Sequence, residues 1–558
     1  MADAETARLC VQIIHSHFGP LTASVASNLL TRGRLPLSHI VRFTSLKPRT
    51  VRACILVLIQ HNLLWHAQTE DEGEVFEVNT EECLMRLRFG RFVWQAEQIF
   101  GQPGGEIVQI ILDHGKLRPP EILSRLSVSD PKKTSAHSQA LYKMVNSFYL
   151  KPSTILSHFS PRDKRIKYEA EEKAKIAGFP TAKELRHAKE TAEARLKREE
   201  EEAEKVGLKR KPDAPGPRGT KVGIPLFVRR PANSHNHQRK AVDEEVVDDS
   251  VYFRLNFDKF NIHIRNKLIE AAVRERYNDS AALVMRAALK ATEAKQTSVS
   301  EIRTDVTSVA NIAMQIDEND DDLASGLILS SSKKPSNAAL VKDYLGMLAC
   351  ADNPTPAGRA ASFVSLTGSK VQVEFEIVCR RLRRRVLEAV AREKHGNEGV
   401  RILRLLLDTG KMDEKQVSKV AMIAPKDARP LLSALSADAL ISIQEVPKSA
   451  DRNPTRTFYL WYVDLHKAYS VVLGNMYKTL YNISMRRRAE AEEPGLRAVL
   501  EKRERSDVSQ DESLLTRMER DVLQGWESKR EKLTVLEMRV EESVFLLRDL
   551  GVLGISDD

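Results

Sequence analysis

One block recurs in this chain, and it limits the fold more than any other feature. Residues 39–65 read HIVRFTSLKPRTVRACILVLIQHNLLW, and residues 416–441 read QVSKVAMIAPKDARPLLSALSADALI. With Pro48 placed on Pro425, the two run together without a gap. Ile40 meets Val417, Phe43 meets Val420, Leu46 meets Ile423, Arg52 meets Arg429, Ile55 meets Leu432, Leu58 meets Leu435 and Leu63 meets Leu440. The pattern is a short apolar-periodic helix, a tight turn holding a proline, and a second helix with apolar residues three and four apart. That is the sequence form of a helix-turn-helix. Downstream, residues 74–78 (EVFEV) and 457–463 (TFYLWYV) are rich in aromatic and β-branched residues and follow polar turns. A helix-turn-helix closed by a β-hairpin is a winged helix, a module that binds nucleic acid or docks onto proteins that do.

Two further copies are partly legible. Residues 108–116 (VQIILDHGK) match 403–411 (LRLLLDTGK), with Asp113, Gly115 and Lys116 on Asp408, Gly410 and Lys411. The turn from Leu117 to Leu126 and a helix near 138–150 complete that module. Residues 251–291 with 338–377 suggest another, its last helix AALVKDYLGMLA and its wing ASFVSL and KVQVEFEI around Thr367–Gly368–Ser369. The aligned proline and the collinear wings weigh more than the leucines, because apolar heptads match one another cheaply.

A chain of 558 residues is too long for one core and predicts three to five domains. Low aromatic content (6%) and high charge (29%) fit a helix-rich protein with charged linkers. The net charge of +10 permits contact with phosphates, but it is spread in blocks of both signs. Cys10, Cys54, Cys83, Cys350 and Cys379 are scattered and lack metal-site spacing, which predicts small buried residues in a reducing compartment. No apolar run is long enough to span a bilayer, and MADAETARLC does not read as a secretory signal. The expectation is an intracellular, soluble protein without membrane contact.

The predicted organisation is mainly α with small β-wings: winged helices at 1–80, 88–168, 250–377 and 378–465, and a C-terminal helical hairpin or coiled coil at 466–558. A charged, partly disordered linker is expected at 169–249, and an acidic insertion at about 293–335. From Leu515 the heptad positions Val522, Trp526, Leu533, Leu536, Val540, Leu547 and Leu550 predict a helical seam opposed by residues 466–505. The turn is expected near Pro494–Gly495 or near 506–512. Trp526, Leu533, Leu536, Val540, Leu547 and Leu550 are candidate partner-binding residues. Packing within the chain is the alternative.

Catalytic signatures are missing from the sequence. It contains no GxxxxGK[ST], GxSxG, HExxH or strand-linked GxGxxG, and no carboxylate cluster suited to two Mg²⁺ ions. No catalytic residue, metal or cofactor is therefore expected. Cations are the candidates for nucleic-acid contact. Arg42, Lys47, Arg49 and Arg52 lie at the turn and start of the second helix of the first module, where a DNA-reading helix presents its N-terminus. Lys426 and Arg429 hold the matched place in the last module, beside Asp427. Arg380, Arg381, Arg383, Arg384 and Arg385 surround Leu382 on the helix leading into that module, where phosphate and an acidic protein surface are both open readings. Neither second helix carries the Arg, Asn or Gln set that reads bases, so backbone contact with little sequence choice is expected. Lys209–Arg210–Lys211 could serve as a nuclear import signal.

The opening, LCVQIIHSHFGPLTASVASNLLTRGRLPLSHIVRFTSLKPRTVRACILVLIQHNLLWH, resembles the N-terminal winged helix of the third-largest subunit of eukaryotic RNA polymerase III. So does the order of paired winged helices, charged linker, two more winged helices and terminal hairpin. The length and charged insertions look fungal. The resemblance implies a non-catalytic nuclear subunit related to TFIIE alpha. It implies a heterotrimer with two other polymerase III subunits on the clamp, contact with promoter DNA and TFIIIB, and a role in opening or holding the bubble. The alternative is an interaction scaffold of the proteasome-lid or COP9 type. Repetition of the module at both ends of the chain argues against it. The poor base-reading complement argues against a sequence-specific transcription factor.

Overall fold

The computed structural model describes residues 3–69, 73–129, 134–176, 181–210, 245–316, 337–353, 355–448, 457–505, 508 and 514–550. They form two compact units, Arg34–Asn79 with Arg88–Phe257, and Met1–Gly33 with Thr80–Leu87 and Asp258–Asp558.

The chain opens with α1 (Ala4–Arg32), β1 (Leu35–Pro36), α2 (Leu37–Thr44), α3 (Pro48–Gln60), β2 (Leu64–Thr69), β3 (Gly73–Val78) and α4 (Thr80–Met85). Pro48 stands at the start of α3, where a missing N–H costs nothing and the fixed φ suits a helix. Val51, Cys54, Ile55 and Leu58 bury one stripe of α3. Next come α5 (Phe89–Phe100), α6 (Gln102–His114), α7 (Pro119–Ser129), α8 (Thr134–Asn146) and β4 (Leu150–Pro152). Then follow α9 (Pro161–Ala174), α10 (Ala182–Lys205), β5 (Leu208–Arg210), β6 (Glu245–Val247) and β7 (Phe253–Leu255).

The third module holds α11 (Phe257–Arg276), α12 (Asp279–Thr292), β8 (Thr307–Ser308), α13 (Val309–Ala313), α14 (Asn337–Leu348), α15 (Pro356–Ala361), β9 (Val364–Thr367) and β10 (Lys370–Val373). The fourth holds α16 (Phe375–Thr409), β11 (Met412–Asp413), α17 (Glu414–Ala421), α18 (Pro425–Ala437), β12 (Ser442–Pro447) and β13 (Thr457–Tyr462). The C-terminal region is α19 (Leu465–Ala491), α20 (Pro494–Arg503) and α21 (Arg517–Arg548).

Three sheets share one topology, in orders β1-β3-β2, β8-β10-β9 and β11-β13-β12, all antiparallel. The strand before the turn pairs with the last strand of the wing, which lies in the centre. The second module follows the same order: Leu117 bridges to Phe253, and β7 pairs with β4. Its central strand therefore comes from beyond residue 250, outside the predicted 88–168. The predicted linker is an insertion between two strands of one sheet.

Part of that insertion, where the charged composition fits a solvated helix or a tether, is a packed helix pair. α9 and α10 pack together through Tyr168, Ala188 and Ala192, with Arg195 over the Tyr168 ring. Two alanines one turn apart allow close approach without a leucine stripe, so the seam is hard to read from sequence. β5 and β6 pair across the remainder of the insertion. Residues 211–244 and the acidic stretch 317–322 lie outside the described residues. Described residues 293–316 include β8 and α13 as parts of the third module, so that stretch is not a pure insertion.

Backbone conformation repeats as well as sequence. In the register of Pro48 on Pro425, Gly19 falls on Gly396, Gly33 on Gly410, Ser45 on Met422 and Asn62 on Ala439. All eight have positive φ. Gly19 and Gly396 break α1 and α16 just before the first helix of their modules. Gly101 and Gly115 hold the same two places in the second module, at φ +78 and +87.

The core of the fourth module gathers Leu403, Leu406, Val417, Ala428, Leu432, Leu435, Leu440 and Trp461, with Val472 and Leu547 from the C-terminal helices. The matched Ile40, Ile55, Leu58 and Leu63 are equally buried in their own module. α21 runs antiparallel to α19, as the ion pairs Arg487–Glu537 (2.5 Å) and Lys529–Glu490 (2.9 Å) show.

Candidate nucleic-acid and partner interface

Four winged modules present four turns, and their second helices offer different chemistry. In the first, α2 ends on left-handed Ser45, Lys47 precedes Pro48, and Arg49 and Arg52 stand on the first turns of α3. Arg42, Lys47, Arg49 and Arg52 are all exposed. No Asp or Glu occurs anywhere from residue 35 to residue 69. Among the described residues these four cations have no ion-pair or hydrogen-bond partner. In the fourth module Lys426 is exposed, whereas Arg429 is held by Glu414 at 2.9 Å.

The arginine run behaves differently from its sequence reading. Arg383 is buried, with its guanidinium 5.6 Å from the centre of the Tyr469 ring. Arg381 donates to the carbonyl of Ala361 and lies 4.0 Å over the Phe363 ring, and burial lowers its pKa to about 10. Arg380 pairs with Glu376 at 3.1 Å. Arg384 pairs with Glu388 at 3.1 Å and Asp408 at 3.0 Å, and Arg385 pairs with Glu275. A helix turns about 100° per residue, so five arginines in six positions cannot all face outward. Two are consumed by packing, and three hold carboxylates of the same compact unit.

The six candidates on the C-terminal helix divide too. Leu547 and Leu550 are buried. Trp526, Leu533 and Val540 are half-buried, and Trp526 packs on a cluster of Leu496, Val499, Val508, Leu515 and Leu523 with Arg530 over its ring. Leu536 is 45% exposed, which corrects the expectation of a buried seam residue. The buried stripe of α21 is Leu523 and then Glu541 and Val544–Leu547, a register that drifts from the strict heptad because an unsupercoiled helix has 3.6 residues per turn.

Sequence reasoning missed the exposed apolar residues of the modules. Leu56 is 66% and Val57 40% exposed on α3. Met422 is 87% exposed at the turn before α18, and Phe458 and Tyr459 are exposed on the wing. Lys448 lies 4.5 Å over the Phe458 ring. The available signal was a helix apolar on more than one stripe, as CILVLI is, and a wing with aromatics at adjacent positions.

The residue after the module's helix-ending glycine is basic three times and has three fates. Arg34 bonds Glu77 and Asp163. Lys116 is buried, donates to the Nε2 of His158 at 2.7 Å, and has its pKa lowered to about 8 by burial and by Arg254. Lys411 lies 5.4 Å over the Tyr462 ring. Among the described residues no group of three or more His, Cys, Asp or Glu is placed to hold a metal, and no helix is long and apolar enough to cross a membrane.

Three family models match the chain. They are the RNA polymerase III subunit RPC82 helix-turn-helix domain at residues 8–68, RNA polymerase III subunit RPC82 at 139–352, and the POLR3C C-terminal winged-helix domain at 387–463. Full-length relatives agree. The chain is 28% identical to DNA-directed RNA polymerase III subunit RPC-3 of Coccidioides immitis, over 97% of this chain and 99% of that protein. It is 26% identical to subunit RPC3 of Bos taurus and 25% identical to that of Homo sapiens, each over 98% of both chains.

Proposed function

The chain belongs to the RPC82/RPC3 family of RNA polymerase III subunits, and from that premise we propose a subunit without a catalytic centre of its own that acts on promoter DNA at initiation. It works in the nucleus beside other polymerase III subunits and meets TFIIIB there. The observation that carries this reading is the span of the likeness. The relatives match 97–98% of this chain and 98–99% of their own length, so the likeness spans the winged modules and the C-terminal helices alike. The sequence supports the non-catalytic role, because it holds no phosphate loop and no paired metal-binding carboxylates.

DNA contact in this reading is electrostatic and indifferent to sequence. The fourth module supplies the surface: Lys415, Lys419, Lys426 and Lys448 are exposed cations, and Phe458 and Tyr459 are exposed rings on which bases can stack. The arginine run at 380–385 serves the protein's own packing in preference to phosphate.

Affinity purification of the tagged full-length chain from its own cells tests the assignment. Recovery of polymerase III subunits is expected. Recovery of proteasome-lid subunits, or of chromatin alone, overturns it. A salt titration tests the DNA contact. Lys426→Ala with Lys448→Ala should flatten log affinity against log salt by up to about 0.9 per lost duplex contact, or about 0.7 on single strands. The loss should be alike on two unrelated duplexes and a pre-opened bubble. An unchanged slope removes the fourth module from the DNA interface.

A further inference from the structure

The second helix of the first module carries a surface that phosphate does not explain. Arg49, Arg52, Ala53, Leu56, Val57 and Gln60 fall at positions i, i+3, i+4, i+7, i+8 and i+11 of α3, so they lie on one face. Its N-terminal end is basic, with Arg42 and Lys47 beside it, and its middle is aliphatic, with Leu56 66% exposed. Its C-terminal end is anchored, because the Gln60 amide donates to the carbonyls of His114 (3.1 Å) and Lys116 (2.6 Å). The aligned face of α18 reads Lys426, Arg429, Pro430, Ser433, Ala434 and Ala437, with no large apolar group. The aliphatic stripe is therefore not a requirement of the winged-helix core, which is filled in both modules by residues on the opposite side.

We propose that the exposed face of α3 is a docking surface for an acidic, apolar segment of another protein subunit. Such a segment would set one or two aliphatic or aromatic side chains on Leu56 and Val57 and its carboxylates on Arg42, Lys47, Arg49 and Arg52. Charge complementarity selects that occupant. The four cations have no partner among the described residues, and the stretch that carries them, residues 35–69, contains no carboxylate of its own. A second copy of this chain would bring the same four cations against them, which like-charge repulsion opposes. A duplex would satisfy the cations but leave Leu56 and Val57 against base edges, where the thymine methyl is the main apolar group. The arrangement is that of a helix face read by apolar anchors at i, i+3 and i+4, with a charged end that sets direction.

The proposal takes from the family reading only the assembly in which it is tested. The full-length chain carries photo-activatable benzoyl-phenylalanine in place of Leu56 and is purified in its native complex. The expected product is a cross-link to a segment of another subunit that has carboxylates within about one helical turn of apolar residues. A cross-link to DNA, to a segment without carboxylates, or to nothing overturns the proposal. In parallel, Leu56→Asp, and separately Arg49→Glu with Arg52→Glu, should lower recovery of the cross-linked subunit at least tenfold. Ser433→Asp at the aligned position should leave it unchanged. Equal recovery in all of these also overturns it. Leu56→Ser, a milder change at an exposed position, separates lost docking from misfolding. If the unaltered chain recovers no polymerase subunits, the family-based function fails by itself, and the cross-link still reports on α3 in whatever assembly is recovered.

Discussion

The first and fourth winged helices are one backbone with two surfaces. Each places positive φ at the same four positions, fills its core from the same register and shares one sheet order. Outside that frame they diverge. The first exposes its aliphatic residues on the second helix, at Leu56 and Val57. The fourth exposes Val420 and Met422 at the turn and Phe458 and Tyr459 on the wing, while its second helix shows Ser433 and Ala434. The difference shows how repeats of one backbone can present separate surfaces. Core and special backbone positions hold the module together, and a few solvent-facing positions decide what it can meet.

Glycine gives the sharpest way to set the second module apart from the fourth. Gly115 and Gly410 end corresponding helices at φ +87 and +83, but their surroundings differ. A Cβ on Gly115 would lie 2.3 Å from the carbonyl oxygen of Gln60, whereas one on Gly410 meets nothing within 4 Å. Gly115→Ala should therefore cost backbone strain and overpacking together, each about 1–3 kcal/mol. Gly410→Ala should cost the strain alone. Hydrogen exchange of peptides from α3 and α6, compared with peptides from α16 and α17, reads the two separately. Equal protection losses would mean that α3 yields freely at Gln60.

The aligned cores should respond alike. Leu58→Ala and Leu435→Ala remove matched side chains, both almost fully buried, so each should cost about 2–5 kcal/mol in its own module. Leu547→Ala removes a side chain from the fourth module's core and belongs in the same range. Leu536→Ala should stay within about 0.5 kcal/mol because the side chain is exposed. A large loss at Leu536 would restore the strict heptad.

These contrasts also show what sequence could carry. The helix-turn-helix, its wing and the mainly helical class were legible because core periodicity and turn chemistry are local signals: Pro48 and the Ile55–Leu58 stripe lie within one short block. The central strand of the second module was not legible. Phe253–Leu255 pairs with Leu150–Pro152 across about a hundred residues, and nothing local in three residues declares a distant partner. Side-chain fate was equally hidden. Arg381 and Arg383 read as surface cations until Phe363 and Tyr469 are brought beneath them. Leu56 lies inside the unbroken apolar run CILVLI, so its residue type alone does not declare that it faces solvent.

The basic position after the helix-ending glycine gives a smaller effect with a definite sign. Burial, then the neighbouring Lys116, lowers the His158 pKa to about 4 from its ordinary 6.5. Between those values the unfolded chain holds a proton that the folded protein refuses. The stabilising contribution is therefore complete above about pH 6.5 and is lost as pH falls toward 4. His158→Gln should flatten the dependence of α6–α8 protection over that window. The fourth module, whose Lys411 lies over Tyr462 in place of a histidine, should lack this component. Identical acid profiles for wild type and H158Q would show that His158 binds its proton equally well in the folded and unfolded chains.

The smallest stability effect belongs to the exchange of the two surfaces. Leu56→Ser and Ser433→Leu swap exposed residues at aligned positions without touching either core, so each should change stability by no more than about 0.5 kcal/mol. A solvent-facing leucine is half out of reach of any neighbour, and its removal loses little apolar burial within the chain. Chemical denaturation followed by hydrogen exchange in α3 and α18 checks this in the isolated full-length protein. A loss above 1 kcal/mol from Leu56→Ser would mean that Leu56 is packed inside the chain in solution. The aliphatic stripe would then be part of the protein's own fold, and the contrast between the first and fourth modules would reduce to one of packing.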